Sequence, residues 1–267
     1  MKGPYICLML ATIGAPLEAA AQTAVESVAG SDARSLRRDA RLTVQDLTEL
    51  RARPAPPGID WKLTLGLATT DAENGGKRWA TPFQLRARFN EGRTAFKLSG
   101  DGYSHLHAQS RTTAGITDLN AIATQLVTED LLAEVGVTLP ARGEAGSSAG
   151  RERIGLAYNR VLSRHWEAQV RARLVRYDTD PRPGVSRIRR QGLVQVAYNF
   201  DAPHTDLLFQ LLRNYRPGSS SASQAAIIYE FPLEQKRRPA IGAIGFTRGL
   251  SPHVRDNTLE FDVSVRF

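Results

Sequence analysis

The stretch TLEFDVSVRF, residues 258–267, decides the fold through its parity. Side chains along an extended strand point alternately to its two faces. Leu259, Phe261, Val263, Val265 and Phe267 therefore share one face, and Glu260, Asp262, Ser264 and Arg266 the other. Chain ends ordinarily fray in polar sequence, whereas this one stops on a two-faced strand and a bare aromatic ring. A barrel in a membrane has a reason to do so. Its last strand must pair with its first, because lipid offers no hydrogen bonds to an open sheet edge.

The same alternation recurs upstream from about residue 59. In HWEAQVRARL, 165–174, Trp166, Ala168, Val170, Ala172 and Leu174 oppose Glu167, Gln169, Arg171 and Arg173. Leu63, Leu65 and Leu67 oppose Lys62 and Thr64; Phe83, Leu85 and Ala87 oppose Arg86 and Arg88; Val135 and Val137 oppose Glu134. A soluble sandwich turns its apolar face inward, and a membrane barrel turns it outward to lipid. Parity then predicts a lumen lined by Lys62, Arg86, Arg88, Lys97, Asp101, Glu134, Arg153, Glu167, Arg171, Arg173 and Arg189.

Connection lengths choose between the two orientations. Strands near 60–70, 79–89, 93–103, 118–128, 131–140, 152–162, 165–177, 188–200, 205–215, 223–232, 239–247 and 257–267 make about twelve, an even number as in single-chain bacterial barrels. Long connections (DAENGGKR, SRTTAGIT, ARGEAGSSAGR, DTDPRPGVSRI, RPGSSSAS, RGLSPHVRDN) alternate with short ones (NEG, ED, SR, DAPH), PLEQKRRP excepted. Outer-membrane barrels alternate in this way, with short periplasmic turns and longer outer loops. Trp61, Phe89, Trp166, Phe200, Phe231 and Phe267 fall at one set of strand ends and Trp79 and Tyr215 at the other, as two interfacial girdles require.

Composition is compatible with this. A mean hydropathy of -0.31 and 23% charged residues look soluble, but half of every barrel strand is polar. No run approaches the roughly 20 apolar residues of a membrane helix. The net charge of +8 admits anionic partners, yet the arginines are spread along alternating strands and no nucleic-acid motif is present, so no nucleic-acid role is expected.

The beginning of the chain predicts export. MKGPYICLMLATIGAPLEAAAQTA carries Lys2, a short apolar stretch and small residues Ala19, Ala20 and Ala21, the form of a signal peptide over 1–21. The single cysteine, Cys7, lies inside it, so the mature chain has no thiol chemistry. Residues 22–58 read as a periplasmic extension. Leu36, Ala40, Val44, Leu47 and Leu50 recur at the spacing of one short helix, which Pro54, Pro56 and Pro57 stop. The barrel then occupies 59–267.

TLEFDVSVRF resembles the C-terminal signal of Gram-negative outer-membrane β-barrels. That resemblance implies that Leu259, Phe261, Val263, Val265 and Phe267 are read by the outer-membrane insertion machinery, after passage with periplasmic chaperones. A second resemblance covers GITDLNAIATQ (115–125), EVGVTLPARGEAG (134–146) and RIGLAYNRVLSRHWEAQVRARLVRY (153–177). It is similar to the outer-membrane channels grouped with the phenol meta-pathway family. Gly115, Asp118 and Leu119 match a Gly-x-x-Asp-Leu strand start, and Leu139, Pro140, Ala141 and Arg142 precede Gly143, one residue longer than in that family.

One segment raises an enzymatic alternative. GDGYSHLHAQS holds Ser104, His105, His107 and Ser110, the residue types a barrel lipid hydrolase uses for acyl transfer. It lacks the His-x-Ser-Asn pattern of those enzymes and reads instead as a polar outer loop. His105 and His107 without a third ligand make no metal site, and no cofactor is expected. Arg142, Arg151, Arg182, Arg187 and Arg216 are expected in outer loops, where lipopolysaccharide phosphates offer acceptors. The sequence thus predicts an all-β, up-and-down outer-membrane barrel of about twelve strands. It would pass small solutes passively and favour anions, the alternatives being the hydrolase and a surface-interaction barrel without a pore.

Overall fold

β1 (Asp60–Asp71) pairs on one edge with β2 (Lys77–Phe89) and on the other with β13 (Asn257–Arg266), and this double pairing rolls the sheet into a closed tube. The computed structural model describes residues 58–267 except 72–75, 91, 109–110, 142–149, 179–185, 203–204, 218–220, 234–239 and 252–255. The expected signal peptide and nearly all of the expected periplasmic extension lie outside the described residues. Between the closing strands run β3 (Thr94–Ala108), β4 (Arg111–Gly115), β5 (Leu119–Leu126), β6 (Leu131–Leu139), β7 (Arg151–Val161) and β8 (Trp166–Tyr177). They are followed by β9 (Ile188–Asn199), β10 (Asp206–Tyr215), β11 (Ala222–Leu233) and β12 (Ala240–Gly249). Every pairing is antiparallel, and no helix occurs among the described residues.

β4 and β5 both pair with β3, at its far and near halves, and so occupy one place in a wall of 12 strands. The interruption is local. Thr117 N–H donates to the Asp101 carbonyl (3.3 Å), and Asp101 N–H donates to the Thr117 hydroxyl (2.8 Å) where the strand would otherwise present a carbonyl. A second irregularity falls between Ala80 and Pro82, where the β2–β3 register shifts. Proline has no N–H to give to a ladder.

The polarity is inverted relative to a soluble barrel. Leu65, Leu67, Val135, Ile154 and Val170 stand 55–62% exposed on the outside, while Lys62, Arg86 and Arg88 are at most 2% exposed within. An outer face of this kind is stable only against hydrocarbon, so the barrel spans a bilayer. On the outside of β8–β11 a run of rings passes from Trp166 to Tyr198 (4.9 Å), Phe200 (4.9 Å) and Tyr229 (6.4 Å), then to Phe231 (5.8 Å). It lies at the end where the chain enters and leaves the barrel, a girdle at headgroup depth.

Two expectations need correction. SRTTAGIT is not an outer loop: Arg111–Gly115 form β4 and extend the β3 hairpin. Ser104, His105 and His107 accordingly sit within strand β3, because β2 and β4 offer it partners on both sides. Ser110 lies outside the described residues. The weakly alternating piece AIGAIG does form a strand, β12.

Candidate lumen site

All eleven residues assigned to the lumen by parity lie on the inner, buried face, between 1% and 8% exposed. Register shows what they build. Arg266 on β13 pairs with Lys62 on β1, Lys62 with Arg86 on β2, and Arg86 with Lys97 on β3. Four cations on four adjacent strands thus form one unbroken inner row. It continues through Ile122 and Gly136 to Arg153 on β7, then through Val175 to Arg189 on β9. Cross-strand rows run perpendicular to tilted strands. This one starts at the mouth holding the chain ends and reaches the far mouth.

Several of these charges are tied. Arg173 on β8 and Glu134 on β6 form a salt bridge through Nε and Oε1, with a second bond from Nη2 to Oε2 at 2.8 Å. They reach each other across Gly155 on β7, which is in register with both. A Cβ at Gly155 would lie 2.7 Å from Glu134 Oε1 and 2.8 Å from Arg173 Cγ. Arg153 Nη2 donates to Asn120 Oδ1 (2.5 Å) and Thr138 Oγ1 (2.8 Å). At the near mouth Asp60 binds Arg88 and lies 3.7 Å from Arg266, joining β1 to both neighbours. Asp101 lies 3.5 Å from Arg78.

Further carboxylates stand on β10, β11 and β13, the last of these next to β1. Asp206 faces Glu230 in register, while Glu260 and Asp262 line β13. Both signs share the wall: β13 carries Glu260 and Asp262 beside Arg266, β6 and β8 carry Glu134 and Glu167, and β1 and β3 carry Asp60 and Asp101. Among the described residues no group of three His, Cys, Asp or Glu could hold a metal.

A row of neutral groups escaped the sequence reading. Asn159 on β7, Gln169 on β8, Gln195 on β9 and Gln210 on β10 are consecutive in register. The row goes on past Ala226 to Thr247, Thr258 and Thr70. Parity alone places each of them inside, but only the register aligns them.

The hydrolase candidates are separated by the strand itself. Ser104 is buried on the inner face, where its hydroxyl accepts from Arg78 Nε (2.6 Å). His105 points outward and stacks on Trp79 at 5.7 Å, with His107 on the same face. No serine–histidine contact forms between adjacent residues on opposite faces. Asp118, from the Gly-x-x-Asp-Leu motif, holds the far rim. It accepts from Ala141 N–H (3.1 Å) and Arg151 Nη2 (3.3 Å).

Three of the five arginines expected in outer loops are among the described residues. Arg151 is buried in β7, and with Arg189 and Arg216 it surrounds the Tyr177 ring at 5.4, 5.3 and 4.4 Å. Arg187 is exposed, and Arg142 and Arg182 lie outside the described residues.

No protein-family model and no curated protein matches the sequence, so the central resemblance to the phenol meta-pathway family rests on short motifs. Solved structures match in fold. An outer-membrane channel from Pseudomonas putida F1 is 16% identical with a TM-score of 0.58, over 79% of this chain and 96% of that one. The NanC porin is 9% identical with a TM-score of 0.54, over 76% and 98%. The β-domain of the Bordetella autotransporter BrkA is 11% identical with a TM-score of 0.51, over 79% and 99%.

Proposed function

We propose that this barrel is a passive outer-membrane channel for small solutes and that it favours anions. The observation carrying this is the in-register inner row Arg266–Lys62–Arg86–Lys97. Four cations on neighbouring strands concentrate positive charge on one arc of the wall, Asp60 meeting part of it beside Arg266. Such a row raises the local potential and the concentration of mobile anions. In the strand order β2 and β8 stand nearly opposite, so Arg171 extends the basic field to the facing wall. Arg173 contributes less, its charge being met by Glu134. The fold shared with an outer-membrane channel and a porin supports the same reading.

In this setting the mouth with both chain ends faces the periplasm. The last strand is the segment read by the insertion machinery and escorted by periplasmic chaperones. Outer-membrane lipid surrounds the apolar belt, and Arg187 is the described outer arginine placed to meet lipopolysaccharide phosphate.

Reversal potentials in a planar bilayer under a potassium chloride gradient test the proposal. The protein should conduct and prefer chloride, and Lys62→Glu with Lys97→Glu should shift that preference toward potassium. Absence of conductance would favour a surface-interaction barrel, and cation preference in the unmodified protein would remove the anion assignment. Fatty-acid release from vesicles, lost with His105→Ala and His107→Ala, would instead indicate the hydrolase.

A further inference from the structure

The outer surface of β8–β12 repeats one residue type at one level. Arg176 on β8, Arg190 on β9, Arg213 on β10 and Arg248 on β12 are exposed, each within two residues of the far end of its strand. Their parity is that of Leu174, Val194, Leu211 and Phe246, so they point out of the barrel, away from the lumen. None of the four is among the arginines expected in outer loops.

Register sets them side by side. Arg176 pairs with Ile188, two residues from Arg190, and Arg190 pairs with Tyr215, two residues from Arg213. Arg213 pairs with Ser223, two residues from Ala225, which pairs with Arg248. A row of paired residues climbs toward the far mouth by about 3 Å per strand at a tilt near 40°, or about 12 Å over four strands. The three steps of two residues bring the line back down by about 15 Å. The displacements nearly cancel, and the four arginines form a level belt.

Depth and charge say what this belt meets. Ile188 and Tyr215 lie beyond Arg190 and Arg213 on the same exposed face, and Leu211, Ile227 and Phe246 lie below. Apolar side chains on both sides place the belt at the membrane boundary rather than in open solvent above it. An outward arginine is strongly destabilising at the membrane centre and nearly neutral at the interface. The ends of the belt are balanced, Arg176 by Glu152 at 3.8 Å and Lys77 by Asp71 in register. Between them the side chains of Arg190, Arg213 and Arg248 make no hydrogen bond or ion pair with any described residue. Three like charges are left for an anion supplied from outside the chain.

We propose that the outer face of β9–β12 seats the phosphate groups of lipopolysaccharide, Arg190, Arg213 and Arg248 holding phosphate oxygens while Leu211, Ile227 and Phe246 lie along the acyl chains. The guanidinium fork matches phosphate and binds it through two parallel hydrogen bonds. A phosphorylated glycolipid carries its anionic groups at the top of its acyl chains, the same vertical order as arginine above leucine on this wall. A soluble anion would meet the charge and leave the apolar face below untouched. A second copy of the barrel would have to bring carboxylates, yet Glu152 and Asp71, the described outer-face strand carboxylates at this level, each face a cation of their own. The assignment rests on the reading of this mouth as the external one, and not on conduction.

The test is binding of lipopolysaccharide to the detergent-solubilised, heat-modifiable barrel in mixed micelles, against lipopolysaccharide stripped of its phosphates. The intact glycolipid should bind saturably and at least about tenfold more tightly than the stripped one, the worth of one or more charge-assisted bonds. Arg190→Gln with Arg213→Gln and Arg248→Gln should weaken it by about tenfold or more. Removing the same charge at the near mouth, with Arg93→Gln, Arg160→Gln and Arg164→Gln, should leave binding unchanged. Equal binding of the two glycolipids, or equal losses from the two triple variants, would overturn the proposal. So would self-association that the outer triple abolishes, without lipopolysaccharide binding, which would give the face to a second copy. Conductance of the same preparation separates this idea from the channel. Saturable, phosphate-dependent binding without conductance upholds the seat and removes the channel, and conductance without such binding does the reverse. Because the comparison of the two glycolipids uses the unmodified protein, it decides even if a variant fails to fold.

Discussion

Trp61 and Phe267 exchange two backbone hydrogen bonds, Trp61 N–H to the Phe267 carbonyl at 3.1 Å and Phe267 N–H to the Trp61 carbonyl at 3.0 Å. They are the first rung of the seam between β1 and β13, which runs on to the pair Asp71–Asn257. Inner hydroxyl pairs reinforce it, Thr64 with Ser264 at 2.8 Å and Thr70 with Thr258 at 2.9 Å. Deleting Phe267 removes this rung and opens two backbone groups at the membrane boundary, where unmet polar groups are expensive. The truncated chain should be exported and then fail to reach a heat-modifiable, membrane-inserted form. Normal insertion would show that the rung is dispensable.

Asp60 should matter to the same seam from the side-chain end, since it is bonded to Arg88 of β2 and near Arg266 of β13. Asp60→Asn removes the carboxylate charge that the two guanidiniums share at this mouth. Breaking a buried pair costs about 3–5 kcal/mol, and the polar amide retains part of that. Unfolding of the vesicle-inserted protein in guanidinium should begin at lower denaturant, and an unchanged midpoint would mean that the mouth tolerates the loss.

Gly155 is predicted to be a sensitive small residue of the inner wall, because it stands between the two members of an ion pair. Alanine there places a methyl within 2.7 Å of Glu134 Oε1 and 2.8 Å of Arg173 Cγ, forcing the ion pair apart. Gly155→Ala should destabilise by about 3–5 kcal/mol, the range for breaking a buried pair. Glu134→Gln in the same background should recover part of the loss, because the two positions act through one contact. Additive losses in that double variant would disprove the coupling.

Tyr198 touches three rings, His165 at 5.7 Å, Trp166 at 4.9 Å and Phe200 at 4.9 Å. Each aromatic pair adds about 0.5–1.5 kcal/mol beyond area burial. Tyr198→Ala should therefore cost about 1–3 kcal/mol in vesicle unfolding, more than Phe246→Ala, whose ring stacks on no other among the described residues. Equal losses at both positions would show that the rings act singly.

Much of the wall was legible because alternation survives wherever one face is apolar and the other charged. HWEAQVRARL gives β8 almost by inspection, its buried polar residues alternating with more exposed apolar ones. The β3–β4 hairpin was not legible. Gly115, Thr117 and Asp118 carry the composition of a loop, since what holds Thr117 in the wall is a hydroxyl bond to a residue 16 positions away. The neutral row was hidden for a different reason. Parity is a property of one strand, whereas alignment of Asn159, Gln169, Gln195 and Gln210 depends on three separate registers, each fixed by turns whose composition does not specify it.

Because the row from Arg266 to Arg189 climbs from one mouth to the other as it crosses the wall, the bore is organised like a rifled barrel, with grooves of like chemistry winding around the axis. In the proposed channel, a solute advancing straight through would cross these grooves obliquely and meet different chemistry at successive depths. One that turns as it advances can keep a single kind of partner for much of the journey. Handedness and length thereby become selective properties alongside charge, and a rigid elongated molecule and its mirror image should not pass at the same rate.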